Sequence, residues 1–216
     1  MIDVGMFSIY NPRADGDCLF DCIGKTLDYL NNNYNHQSKV ITQNKMTPLY
    51  LRQVVACQWM KDMETICECY ELSKYLFSPM NNLDNLTREE IENINVLRQE
   101  HVHIQPLKNG INKNSIEQVG KNMCDMQLYW GDDYALKVFQ KQTKIRILVY
   151  SPLDMTFLYS HKQYLDEPLN RFYYVILLLH KKHYSLLYAP PLYTSPVCQY
   201  HELPLDIQKF VYHQYH

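Results

Sequence analysis

Apolar residues recur at helical spacing over the first two thirds of the chain and at strand spacing over the last third. Leu19, Ile23, Leu27 and Leu30 fall on one face, so the pattern predicts an amphipathic helix that opens at Cys18. The turn Asp15-Gly16 precedes it, and Asn31-Asn32-Asn33 is expected to stop it. Residues 31–46 are polar and read as a loop. Thr47-Pro48 supplies an N-cap and a first-turn proline, and Leu51, Val55, Trp59, Met63, Ile66 and Tyr70 then form the stripe of one long helix. Asn81 to Asn85 breaks that pattern. Thr87 and Glu90 make a capping box for a short helix with Ile91, Ile94 and Leu97, and Ser115 with Gln118 repeats the box ahead of Val119, Met123 and Met126.

Past Trp130-Gly131 the period changes. Asp132 caps a helix through Ala135, Leu136, Val138 and Phe139, and the β-branched run Ile145 to Tyr150 predicts a strand. Phe172 to Leu179 is continuously apolar, as in a strand buried on both faces. His180-Lys181-Lys182 makes a turn, and His183 opens a returning strand to Tyr188. The tail after Pro190-Pro191 reads as irregular. Helices first and strands afterwards predict an α+β fold rather than a doubly wound sheet.

The 216 residues suit one domain, or one domain with a sizeable insertion. A composition 46% hydrophobic and 20% charged supports a globular core. The net charge of −2 gives no ground for nucleic acid or an anionic membrane as partner. The longest apolar run, Tyr173 to Leu179, is too short to span a bilayer. No basic segment precedes an apolar one after Met1, so no cleavable leader is expected. Seven cysteines, an odd number without framed spacing, predict reduced thiols and a cytoplasmic setting.

Within that frame, one cysteine and one histidine carry candidate chemistry. A cysteine nucleophile acts as its thiolate, and the first turn of a helix offers the positive potential that favours one. Cys18 holds that position, and Gly16-Asp17 before it can turn backbone N–H groups toward a substrate carbonyl as an oxyanion hole. His183, at the start of a strand after a tight turn, is the candidate base on a rigid element. Taken singly, a cysteine at a helix start is usually a small hydrophobe, and a strand histidine is usually a core or surface residue.

Taken together, three segments resemble the OTU (ovarian-tumour) family of cysteine proteases. Ala14-Asp15-Gly16-Asp17-Cys18-Leu19-Phe20 is similar to its cysteine box. Tyr129-Trp130-Gly131-Asp132, then Ala135-Leu136 and Ile145 to Val149, resembles its Trp-Gly-Gly motif with the following helix and strand. His183-Tyr184-Ser185-Leu186-Leu187 resembles its histidine box, and the order along the chain is the family's.

The resemblance implies a papain-like fold, a small central sheet flanked by helices. It also implies a deubiquitinase in which Cys18 attacks the carbonyl of the C-terminal glycine of ubiquitin. His183 would take the thiol proton and pass it to the leaving amine, and Asp15 would shape the oxyanion hole chiefly through its backbone N–H. No metal or organic cofactor is implied. The expected partner is ubiquitin, polyubiquitin or a ubiquitin-like protein, met by a monomer. Two positions depart from the family's pattern. Ser185 stands where Asn or Asp usually orients the histidine, with the Asp15 side chain as another candidate for that part, and Asp132 replaces the second glycine of Trp-Gly-Gly. Residues from about 60 to 128 exceed a minimal OTU core and predict an inserted helical arm, similar to those of otubains and some bacterial OTU effectors. Abundant Asn, Lys and Tyr beside six Gly suggest an AT-rich genome, such as that of a large virus or an intracellular bacterium, with action in the host cytosol.

Other constellations are weaker. Cys67 and Cys69 with His101 and His103 could be drawn as a zinc site, but the two cysteines face different sides of a helix. Cys22 reads as core, His180 as a rival base without the following tyrosine, and Lys181-Lys182 as a solvated turn. Two other functions fit the same residues: an inactive OTU-shaped module that binds ubiquitin, and a cysteine protease acting on a viral or bacterial polyprotein.

Overall fold

The computed structural model describes residues 3–34, 46–78, 86–143, 145–159, 168–190 and 194–215. The expected break at Asn81 to Asn85, and most of the loop at 31–46, lie outside these residues. The chain divides into two compact units, one of Met1–Pro48 with Gly131–His216 and one of Leu49–Trp130. The second spans the range expected for the arm.

The first unit is α+β. Its sheet, in the order β1-β5-β4-β2-β3, is built from β1 (Ser8–Tyr10), β2 (Ile145–Ser151), β3 (Thr156–Tyr159), β4 (Tyr173–His180) and β5 (His183–Tyr188). β2 and β4 run parallel, and the other neighbours are antiparallel. Every residue of β2 is buried, Arg146 and Ser151 included, and Tyr174 to Leu177 are buried in β4, as in strands covered on both faces. α1 (Cys18–Tyr34) packs on β5 and α6 (Asp133–Gln142) on β2. The other face is covered by α7 (Leu205–Tyr215), whose Ile207 and Val211 join Leu148, Ile176, Leu187 and Tyr174 in one buried cluster.

The second unit is helical among its described residues: α2 (Pro48–Lys61, entering from the first unit), α3 (Met63–Phe77), α4 (Arg88–Glu100), a 3-10 segment Val102–Asn109 and α5 (Lys113–Met123). Leu51, Val55, Trp59, Ile66, Leu76, Leu107 and Val119 are buried in it. Arg52 is 1% exposed and donates to the carbonyl oxygens of Met123 (3.3 Å) and Tyr129, so its charge is solvated by backbone where α5 ends.

Four local expectations are corrected. Asn31-Asn32-Asn33 does not stop α1. The Asn33 amide donates to Tyr29 O at 2.8 Å, and the Tyr34 ring packs on Tyr173 at 5.1 Å, which holds the last turn in helix. The long helix is two, because Asp62 leaves helical geometry (ψ 86°) and its N–H bonds the i−3 carbonyl of Trp59. The second capping box sits three residues earlier, with Asn112 as N-cap and Ser115 as its partner. The tail past Pro190 is not irregular throughout: α7 forms where Ile207 and Val211, one turn apart, meet the sheet.

Candidate active site

Cys18 is the first residue of α1, entered through a turn built by the residues ahead of it. Gly16 takes φ 90°, a left-handed conformation that glycine adopts without strain. The Asp15 carboxylate accepts from Asp17 N at 3.2 Å, and Asp17 O accepts from Asp21 N at 2.8 Å to start the helix. The Asp15 backbone N–H has no hydrogen-bond partner among the described residues. Gly131 supports the far side of the turn. At φ +83°, a Cβ on it would stand 2.6 Å from Leu19 Cδ2, so the glycine lets the chain pass close beside the first turn of α1. Asp132 caps α6 by accepting from Ala135 N at 3.1 Å, which is why an acid can stand in place of a second glycine.

β5 brings the histidine. Lys181 and Lys182 both have positive φ (49° and 68°), the geometry of a two-residue hairpin, and His180 and His183 pair across it. Tyr184 then presents its backbone to α1. Its N–H donates to Cys18 Sγ at 3.4 Å, and its carbonyl accepts from Cys22 Sγ at 3.8 Å. Two thiols one turn apart thus bond the N–H and the C=O of one residue, which lies beyond the end of β1. Cys22, fully buried, is structural.

The group that orients His183 is one the sequence did not disclose. Asn11 follows β1 directly, and the β1–β5 register, in which Tyr10 pairs with Leu186, sets it opposite Ser185. Its Oδ1 lies 2.7 Å from His183 Nε2 and accepts from Ser185 Oγ at 2.9 Å. An amide oxygen only accepts, so Nε2 carries a hydrogen, and in the neutral ring the lone pair is then on Nδ1. Nδ1 has no hydrogen-bond partner among the described residues, the Cys18 thiol included. Ser185 therefore braces Asn11 rather than touching the imidazole, and the Asp15 carboxylate is engaged by its own turn. The only trace of Asn11 in the sequence is an Asn-Pro pair seven residues before the cysteine, far from the histidine box.

Electrostatics at the sulfur differ from the simple helix-start expectation. Burial pushes the Cys18 thiol above its ordinary range. The backbone N–H groups of Tyr184, Leu19 and Cys18 itself pull the other way, and Asp15 adds to the rise. Cys18 is only 4% exposed, and desolvation outweighs the helix start. The Asp21 carboxyl is raised as well, by burial and then by Asp17 and Asp15, against Arg13.

His180 is exposed and has no hydrogen bond to either Cys18 or Asn11. In the helical unit Cys67 is exposed, Cys69 half-buried, and the buried His103 ring packs on Tyr129 at 4.7 Å. Among the described residues no three His, Cys, Asp or Glu gather as metal ligands.

No family model and no curated protein matches the sequence. A solved structure of similar architecture is the viral OTU domain protease from Farallon virus, 11% identical over 86% of this chain and 86% of that one, with a TM-score of 0.41.

Proposed function

We propose that the chain is a cysteine protease of OTU type that hydrolyses the isopeptide bond at the C-terminal glycine of ubiquitin. The observation that carries this reading is the fixed imidazole: His183 Nε2 stands 2.7 Å from Asn11 Oδ1, while the peptide N–H of the next residue bonds Cys18 Sγ. An oriented base beside a cysteine at a helix start is the arrangement thiol catalysis needs. The three sequence motifs supply the substrate class.

In this reading Nδ1 of His183 receives the Cys18 proton as the sulfur attacks the carbonyl carbon, and Asn11 steadies the imidazolium. The oxyanion forms against the N–H groups of Asp15 and Cys18. The imidazolium then protonates the leaving amine, and water resolves the thioester. Burial raises the Cys18 thiol, so transfer of its proton to His183 is part of what this mechanism requires.

The test is turnover of a diubiquitin by the wild type and by His183→Ala. The wild type should yield monomer, and the variant should lose at least about a hundredfold in rate. A wild type that binds diubiquitin in titration but leaves it intact would favour the binding-module reading.

A further inference from the structure

Two cysteines outside the candidate active site share one small cavity. Within the helical unit, a groove of about 290 Å³ between α2 and α5 is lined by Cys57, Met60, Gly120, Cys124 and neighbouring residues. α2 and α5 come close at Gly120, where an added Cβ would stand 2.8 Å from Met60 Sδ. Arg52, two turns before Met60, bonds the carbonyls of Met123 and Tyr129 beyond Gly120, so the two helices run antiparallel there. Cys57 lies one turn before Met60 and Cys124 one turn after Gly120, and that register sets the two thiols across the same seam. Both are free thiols, Cys57 exposed and Cys124 half-buried.

We infer that Cys57 and Cys124 form a peroxide-responsive pair that closes into a reversible disulfide between α2 and the end of α5. Cys57, open to solvent, is the thiol that hydrogen peroxide meets. Its sulfur takes one peroxide oxygen to become a sulfenic acid, with release of one water. Cys124 then attacks that sulfur, the S–S bond forms, the S–O bond breaks, and the hydroxyl leaves as a second water. Two thiols and one peroxide thus become one disulfide and two waters. A small dithiol reverses the reaction by exchange. The electrostatics agree with the proximity: after burial, the largest influence raising the Cys124 thiol is Cys57, against Arg52. The expected consequence is a staple within the helical unit that needs no other part of the chain.

The experiment treats the reduced full-length chain with a few equivalents of hydrogen peroxide, then blocks free thiols and maps peptides without reduction. The expected result is a cross-linked pair holding Cys57 and Cys124, two hydrogen atoms lost from the intact mass, and reversal by dithiothreitol. The melting midpoint should rise by about 5–10 °C, as a cross-link closing a long loop gives. In Cys124→Ser, Cys57 should stop at sulfenic acid and take a dimedone label. Over-oxidation of Cys57 in the wild type while Cys124 stays alkylatable would overturn the inference, and so would a cross-link to Cys67 or Cys69. Since the readout is mass and not hydrolysis, failure here is distinguishable from failure of the proposed function.

Discussion

At the scale of single residues, the places of Cys18 at a helix start and His183 at a strand start were legible because each sits in a short local pattern, a turn before a helix and a hairpin before a strand. Asn11 was not. Its role depends on β1 pairing with β5, a contact 172 residues apart in sequence that no local pattern announces. Ser185, two residues from the histidine and on the same face of β5, drew the expectation to itself, yet its hydroxyl bonds Asn11 instead. The two positions separate by mutation. Asn11→Ala frees the imidazole to turn and should lower kcat roughly ten- to a hundredfold, with little change in KM. Ser185→Ala removes one hydrogen bond from the brace, worth about 1 kcal/mol, and should cost less than about fivefold. Steady-state kinetics on a fluorogenic ubiquitin substrate would measure both. A greater loss for Ser185→Ala would reverse the assignment.

At the scale of elements, helices and strands with strong periodicity were readable, and their ends were less so. The β4–β5 hairpin shows why. Its position followed from His180-Lys181-Lys182, but its turn geometry could not be read from two lysines, since that geometry favours Asn-Gly. Both lysines hold positive φ at a cost of about 1 kcal/mol or more each. The double change Lys181→Asn with Lys182→Gly should therefore stabilise the protein by roughly 1–3 kcal/mol, seen as a higher denaturant midpoint with unchanged m. A lower midpoint would mean that contacts of the lysine side chains outweigh the strain. The break at Asp62 and the late helix α7 escaped for a related reason: a single polar residue, or two buried side chains on a short segment, is too faint a signal until the partner surface is known.

At the scale of the whole molecule, the α+β class was legible from the order of periodicities, and the covering of the sheet by α7 was not. That cover buries Cys198, whose backbone pairs with Tyr174 and whose thiol is pushed up to about 12 from 9.0 by burial, then by Glu202. The folded chain holds this proton where the unfolded chain has released it. Its contribution is whole below about pH 9 and is lost as pH rises toward about 12, up to about 4 kcal/mol at the upper end. Tyr10 and Tyr188, also raised first by burial, add to the same slope. Denaturant midpoints taken between pH 8 and 11 should fall more steeply for the wild type than for Cys198→Ala. Equal slopes would remove the buried thiol from the alkaline limb.

The claim that joins these scales is that Cys18 is a nucleophile presented to the C-terminus of ubiquitin. It is tested most directly by intact-mass measurement after incubation with ubiquitin bearing a C-terminal electrophile. One covalent ubiquitin is expected on the wild type, mapped to Cys18, and none on a folded Cys18→Ala. An adduct that persists on the alanine variant, or one mapped to another of the seven cysteines, would contradict it.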